Sequence, residues 1–272
     1  MKKYESKRIY SQIVYNPTKE YGANQRAPYL AATADPEEYH QLCTIVKSHF
    51  PEMSQEQIDA LLLRLRKEGC GYVAMINSLF DFFIDRPEKF YQVFGFEMYD
   101  SDGSLNYNHV LVDLYCKKDN HNGGRFLFFT WDIYIEKEDF VWKDEDKDGK
   151  FEWTEKPFGN NELQMKYRWE TYCKEHGIKS TVHCYPVIRP HYFYKYAAKG
   201  YVSVLCSDFT MTNDKKQTTH VKNGHFMSIT DITGDERKFV VSSWGEKYYL
   251  DPKDIKGFCY YQVITYKDIF DI

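Results

Sequence analysis

Gly69-Cys70-Gly71-Tyr72-Val73-Ala74-Met75-Ile76-Asn77 sets a cysteine between two glycines at the opening of a helix. Apolar residues continue on every face to Ile84, so the segment 70–84 reads as a buried central helix, and Arg86-Pro87 stops it; proline has no N–H to give and clashes with the preceding turn. A thiol at a helix N-terminus meets the positive end of the macrodipole and free N–H groups, both of which favour thiolate. Cys70 is therefore expected to be a low-pKa nucleophile.

Upstream, a helix is expected from Pro36 through Phe50, and Ser54 with Gln57 forms a capping box that opens an amphipathic helix ending at Gly69. Residues 1–35 carry Pro17, Gly22, Pro28 and no sustained periodicity, and read as an arm around the domain. Downstream, 88–160 mixes short helical and extended pieces, including a strand from Arg125 to Thr130, and 161–176 reads as an amphipathic helix closed by His176-Gly177. Beyond Gly177 the pattern turns to strands: Ser180 to His183, Tyr201 to Ser207, His225 to Ile232, Lys238 to Ser243, Lys247 to Leu250 and Phe258 to Tyr266. The expected class is α+β, one domain over 36–272 after the arm: a helical half at 36–100, an insertion at 101–176 and an antiparallel β half at 177–272.

A length of 272 residues supplies a sizeable core, and a net charge of −4 with lysine and arginine spread along the chain excludes a nucleic-acid footprint. The seven cysteines form no CxxC pair, so six read as small buried thiols and Cys70 stands apart through its glycines. No segment approaches ~18 uninterrupted apolar residues, so no membrane span is expected. Met1 to Lys7 lacks an apolar region behind its charges, which reads as a soluble chain with no signal peptide; secretion would require a leader already removed. With 24 tyrosines and 19 phenylalanines, an aromatic core and aromatic-lined grooves are expected.

A nucleophilic thiol needs a base within hydrogen-bond reach, which can later protonate the leaving amine. Of nine histidines, His225 in Gly224-His225-Phe226-Met227-Ser228-Ile229 is the best placed: a side-chain-free neighbour precedes it and a buried strand follows. His183 is the second choice, while His109, His121 and His220 lie in polar stretches. Val240-Val241-Ser242-Ser243-Trp244-Gly245 follows on the next strand.

In this order, a Gly-flanked cysteine helix, a histidine strand and a Ser-Trp-Gly strand, the chain resembles the papain-like cysteine peptidases, and most closely their bacterial branch that includes bacteriocin-leader-processing peptidases. The resemblance implies a cleft between the halves that takes a peptide or protein substrate, Cys70 as nucleophile and His225 as base. The family's histidine-orienting residue falls on Ser242. A hairpin reversing at Thr233-Gly234 would set that hydroxyl opposite His225, whereas Asp231, six residues away on the same strand at ~3.3 Å each, lies about 20 Å off. Where the family uses a glutamine six residues before the cysteine, this chain has Arg64. Two other expectations share these residues: a catalytically degenerate module binding peptides or partners in the cleft, and an acyltransferase or toxin-type domain.

Asp144-Glu145-Asp146-Lys147-Asp148-Gly149-Lys150-Phe151-Glu152-Trp153-Thr154-Glu155 fits the twelve-residue EF-hand loop. Asp144, Asp146 and Asp148 offer side-chain oxygens, Gly149 the sharp turn, Lys150 its carbonyl, Glu152 a water-mediated contact and Glu155 a bidentate carboxylate. Calcium is expected there in a structural role. Millimolar calcium should raise the melting temperature of the chelator-treated protein, magnesium should do less, and Glu155→Gln should remove the gain. A melt indifferent to calcium would reduce the loop to an acidic turn.

Overall fold

Short-range signals set most helix boundaries. The computed structural model describes residues 20–117, 121–126, 129–134, 162–186, 196–197, 199–233 and 238–267. Among these lie seven α-helices: α1 (Ala27–Ala34), α2 (Pro36–His49), α3 (Gln55–Glu68), α4 (Cys70–Phe83), α5 (Pro87–Phe94), α6 (Tyr107–Cys116) and α7 (Glu162–Glu175). Asp35 caps α2 by accepting the Glu38 N–H at 3.1 Å. Ser54 and Gln57 close the expected capping box on α3, at 3.3 and 2.8 Å. Helix α4 is buried on all sides, with Asn77, Ser78 and Asp81 among its otherwise apolar residues.

Two expectations need adjusting. The arm is not irregular throughout, because α1 forms within it and includes Pro28. From Glu88 on, the described residues hold the short helices α5 and α6 and extended pieces, the mixture expected. The strand expected at Arg125 to Thr130 falls across a hairpin, β1 (His121–Phe126) paired antiparallel with β2 (Phe129–Tyr134). The acidic loop at 144–155 lies outside the described residues.

The remaining strands are β3 (Lys179–Pro186), β4 (Tyr201–Cys206), β5 (Phe209–Asn213), β6 (Thr218–Val221), β7 (His225–Ile232), β8 (Phe239–Ser243), β9 (Glu246–Leu250) and β10 (Cys259–Lys267). They form one antiparallel sheet of eight strands in the order β3-β10-β4-β7-β8-β9-β5-β6, so the fold is α+β as expected.

Strand alternation divides this sheet into two buried faces. Val182, Leu205, Phe226, Val240 and Ile264 face the helices and share their core with Tyr72, Met75, Leu79 and Trp169. Val202, Val204, Cys206, Met227, Ile229, Phe239, Val241 and Tyr261 point the other way, into a second core that residues of β5 and β9 share and against which Tyr196, Val221, Trp244 and Ile255 pack.

Helix, sheet and arm meet at Asn77, which is fully buried on α4. Its Oδ1 accepts the Ala23 N–H at 2.9 Å, and its Nδ2 donates to Ser228 Oγ at 3.0 Å and Ser242 Oγ at 3.3 Å. The Ser242 hydroxyl donates onward to the Tyr21 carbonyl at 2.5 Å, and Ser228 donates to the Ala74 carbonyl at 3.3 Å. The arm passes here through Gly22 at φ +81°, where a Cβ would stand 2.4 Å from Ser242 Oγ. Only glycine fits that backbone and that gap.

Candidate functional site

Cys70 is the first residue of α4, and Phe226, the second residue of β7, packs beside it: a Cβ on Gly71 would lie 3.1 Å from the Phe226 ring. The Phe226 N–H donates to the Cys70 sulfur, and the N–H groups of Gly71 and Cys70 itself also favour its thiolate. Burial nevertheless outweighs these donors and pushes the thiol above its ordinary value, with the Glu68 carboxylate adding in the same direction. The direction is opposite to the lowering expected from the helix terminus, because burial is the largest influence on this half-buried thiol and the neighbouring N–H groups do not cancel it.

Glu68 itself sits in a tight cluster at the end of α3. Its Oε1 accepts from the Tyr115 hydroxyl and lies 3.2 Å from Arg64 Nε. Burial raises its carboxyl, against the pull of Arg64, Tyr115 and buried Arg168. Arg64 is therefore turned to Glu68 one helical turn along.

His225 opens β7 on the other face of the strand from Phe226. Its Nε2 is 2.7 Å from Ser243 Oγ, and its ring stacks on Trp244 with centroids 4.5 Å apart and planes at 30°. The Arg26 guanidinium lies over the same indole at 5.1 Å. Burial, reinforced by the Arg26 charge, lowers the imidazole pKa to about 3. The ring is neutral at physiological pH.

Trp244 and Gly245 both have positive φ, at 52° and 74°, and connect Ser243 to Glu246 as a two-residue hairpin turn of the primed type. A bulky residue at positive φ costs on the order of 1–3 kcal/mol. It is held by His225 and Arg26, by the Tyr248 ring edge-on at 6.0 Å, and by the Tyr21 N–H on the Gly245 carbonyl at 2.7 Å.

The serine that meets His225 is Ser243, and the Ser242 hydroxyl does not stand opposite the imidazole as expected. Thr233 N–H bonds the Lys238 carbonyl at 2.9 Å, and the reversal expected at Thr233-Gly234 falls partly outside the described residues. A bulge between Ile229 and Asp231 shifts the register, and Ser242 ends opposite Ser228. That pairing turns Ser242 to Asn77 and leaves Ser243 on the face of His225. A one-residue difference in register exchanges the two faces.

The structure brings Cys70 to the backbone of β7 and His225 to Ser243, and no hydrogen bond joins Cys70 to His225. His183 lies exposed on edge strand β3, separated from β7 by β10 and β4, and Asp231 takes its own neighbour's N–H, from Ile232, at 2.8 Å. Ser243 and Arg26 were missed by sequence reasoning; the Trp-Gly turn was the available signal for the first, and nothing local marked the second. Among the described residues no group of histidine, cysteine and acidic side chains could hold a metal ion. None of their helices is long and apolar enough to cross a membrane. Comparison with protein-family models, curated proteins and solved structures finds no match to this chain.

The depressed His225 pKa has a signed consequence. The unfolded imidazole takes a proton near pH 6.5 and the folded one only near pH 3, so stability is complete above 6.5 and declines as pH falls toward 3. The slope from this residue should approach about 1.4 kcal/mol per pH unit within that window. Urea unfolding at pH 7 and pH 4.5 should show wild type losing more stability than His225→Gln, which keeps the carboxylate contributions. Equal losses would mean that His225 titrates normally in the folded protein.

Proposed function

We propose that this chain is a papain-like, thiol-dependent amide hydrolase acting on a peptide or protein, with Cys70 as nucleophile and His225 as proton acceptor and donor. The observation that supports it is the junction of α4 and β7: the Cys70 sulfur accepts the N–H of the residue that follows His225, and His225 is itself held by Ser243 and Trp244. In the reactive tautomer His225 donates Nε2–H to Ser243 Oγ, which leaves Nδ1 as the base. Both groups rest neutral, so the thiol proton passes to imidazole as sulfur attacks the carbonyl, and the imidazolium then protonates the leaving amine. For this the ring must swing from the Trp244 stack toward the sulfur. With Arg64 turned to Glu68, the Cys70 N–H is the oxyanion donor this reading names. The loop at 144–155 would carry calcium as a brace.

A second reading, a catalytically silent papain-like module that binds peptides or partners, is favoured by a specific observation. The thiol is raised, the imidazole is lowered, and the two are not hydrogen-bonded to one another.

Peptide cleavage by wild type, Cys70→Ala, His225→Ala and the double variant separates the readings. The hydrolase predicts that either single change abolishes turnover and the double variant is no worse, because the pair acts as one unit. Ser243→Ala should lower kcat more than KM. Turnover that survives Cys70→Ala overturns the assignment, and a wild type that cleaves nothing while still binding peptide establishes the second reading.

A further inference from the structure

Cys206 ends β4 and Cys259 begins β10, and the antiparallel register sets them directly opposite one another. Both belong to the second core, so their side chains leave the sheet on the same face. The adjacent pair, Ser207 and Phe258, is hydrogen-bonded through Ser207 N–H to the Phe258 carbonyl at 3.1 Å. Hydrogen-bonded and non-hydrogen-bonded pairs alternate along an antiparallel ladder, which makes Cys206–Cys259 a non-hydrogen-bonded pair. Such pairs bring Cα atoms to about 4.5 Å and Cβ atoms closer than any other pairing in a sheet, within the span a disulfide bridges. Both thiols are free, Cys206 wholly buried and Cys259 partly exposed. Of the three cysteines on strands, the other, Cys184, faces Gln262 instead.

We propose that Cys206 and Cys259 form a dithiol site that closes to a cross-strand disulfide on exchange with a small-molecule disulfide. The partly exposed Cys259 reacts first: its thiolate attacks one sulfur of the reagent, forms a mixed disulfide and expels one reagent thiolate. The Cys206 sulfur, losing its proton, then attacks the Cys259 sulfur and expels the second. Two protein thiols and one reagent disulfide become one protein disulfide and two reagent thiols; the protein sulfurs are oxidised and the reagent is reduced. Gly257 and Phe258 both oppose Ser207, since the Gly257 N–H also bonds the Ser207 carbonyl at 3.1 Å. This bulge beside Cys259 twists the strand end and gives the reagent its approach. Burial raises both thiols, Cys259 to about 12, so exchange is slow at neutral pH and quickens in base. On its other side Cys206 pairs with His225, so closure fixes the strand end that carries the imidazole. The site stands whether or not the chain is a hydrolase.

The test is to incubate the full chain with excess hydroxyethyl disulfide at pH about 8.5, quench in acid, alkylate after unfolding and map peptides without reduction. The expected product links the Cys206 and Cys259 peptides, with both thiols lost together. Cys206→Ser should halt at a stable mixed disulfide on Cys259, and Cys259→Ser should leave Cys206 free. A wild type that stops at the mixed disulfide on Cys259, that links a different pair, or that leaves Cys259 unmodified while other cysteines react, overturns the proposal.

Discussion

A carboxamide that never meets water holds the architecture together. Asn77 can satisfy its oxygen and nitrogen only if the arm, α4, β7 and β8 arrive in one relative position, because its partners come from all of them: Ala23, Ser228 and Ser242. A buried polar group left without a partner costs about 1–3 kcal/mol. Any slip of β8 against β7, or withdrawal of the arm, would strand several such groups at once. The same contacts explain why residues before α1 run through the core: Tyr21 and Ala23 are buried, and the Tyr21 hydroxyl bonds Thr230 at 2.7 Å on the bulge of β7.

Two adjacent serines take opposite duties from this constraint. Ser242 belongs to the helix face and anchors the arm, whereas Ser243 belongs to the face of His225 and holds its Nε2. The strained Trp244 follows at once, and its indole is clasped between the imidazole and Arg26. Arm, hairpin turn and histidine thereby form one unit. Changes at Arg26, on an exposed helix cap, bear on the protonation of a buried imidazole several strands away in sequence.

What could be read from the sequence follows the range of the interactions involved. The capping box of α3, the buried character of α4 and the extent of β7 depend on residues a few positions apart, and each was legible. The β7–β8 register depended on a bulge at Thr230, for which the sequence carries no local mark, so the histidine's partner was assigned one residue early. The Cys70 pKa failed for a related reason. Its helix terminus is visible in sequence, but the burial that outweighs it comes from packing of α4 on β7. The facing of Cys206 and Cys259 depends on strand order and register together, and the numbering of cysteines gives no hint of it.

A neutral imidazole anchored by Ser243 is the centre of this account, and nitrogen NMR of the His225 ring in wild type, Ser242→Ala and Ser243→Ala tests it most directly. The account predicts a ring that stays neutral from pH 7 to about 4, with its Nε2 resonance displaced by Ser243→Ala and undisturbed by Ser242→Ala. A ring that titrates near pH 6.5, or an Nε2 resonance that answers to Ser242 and ignores Ser243, would contradict it.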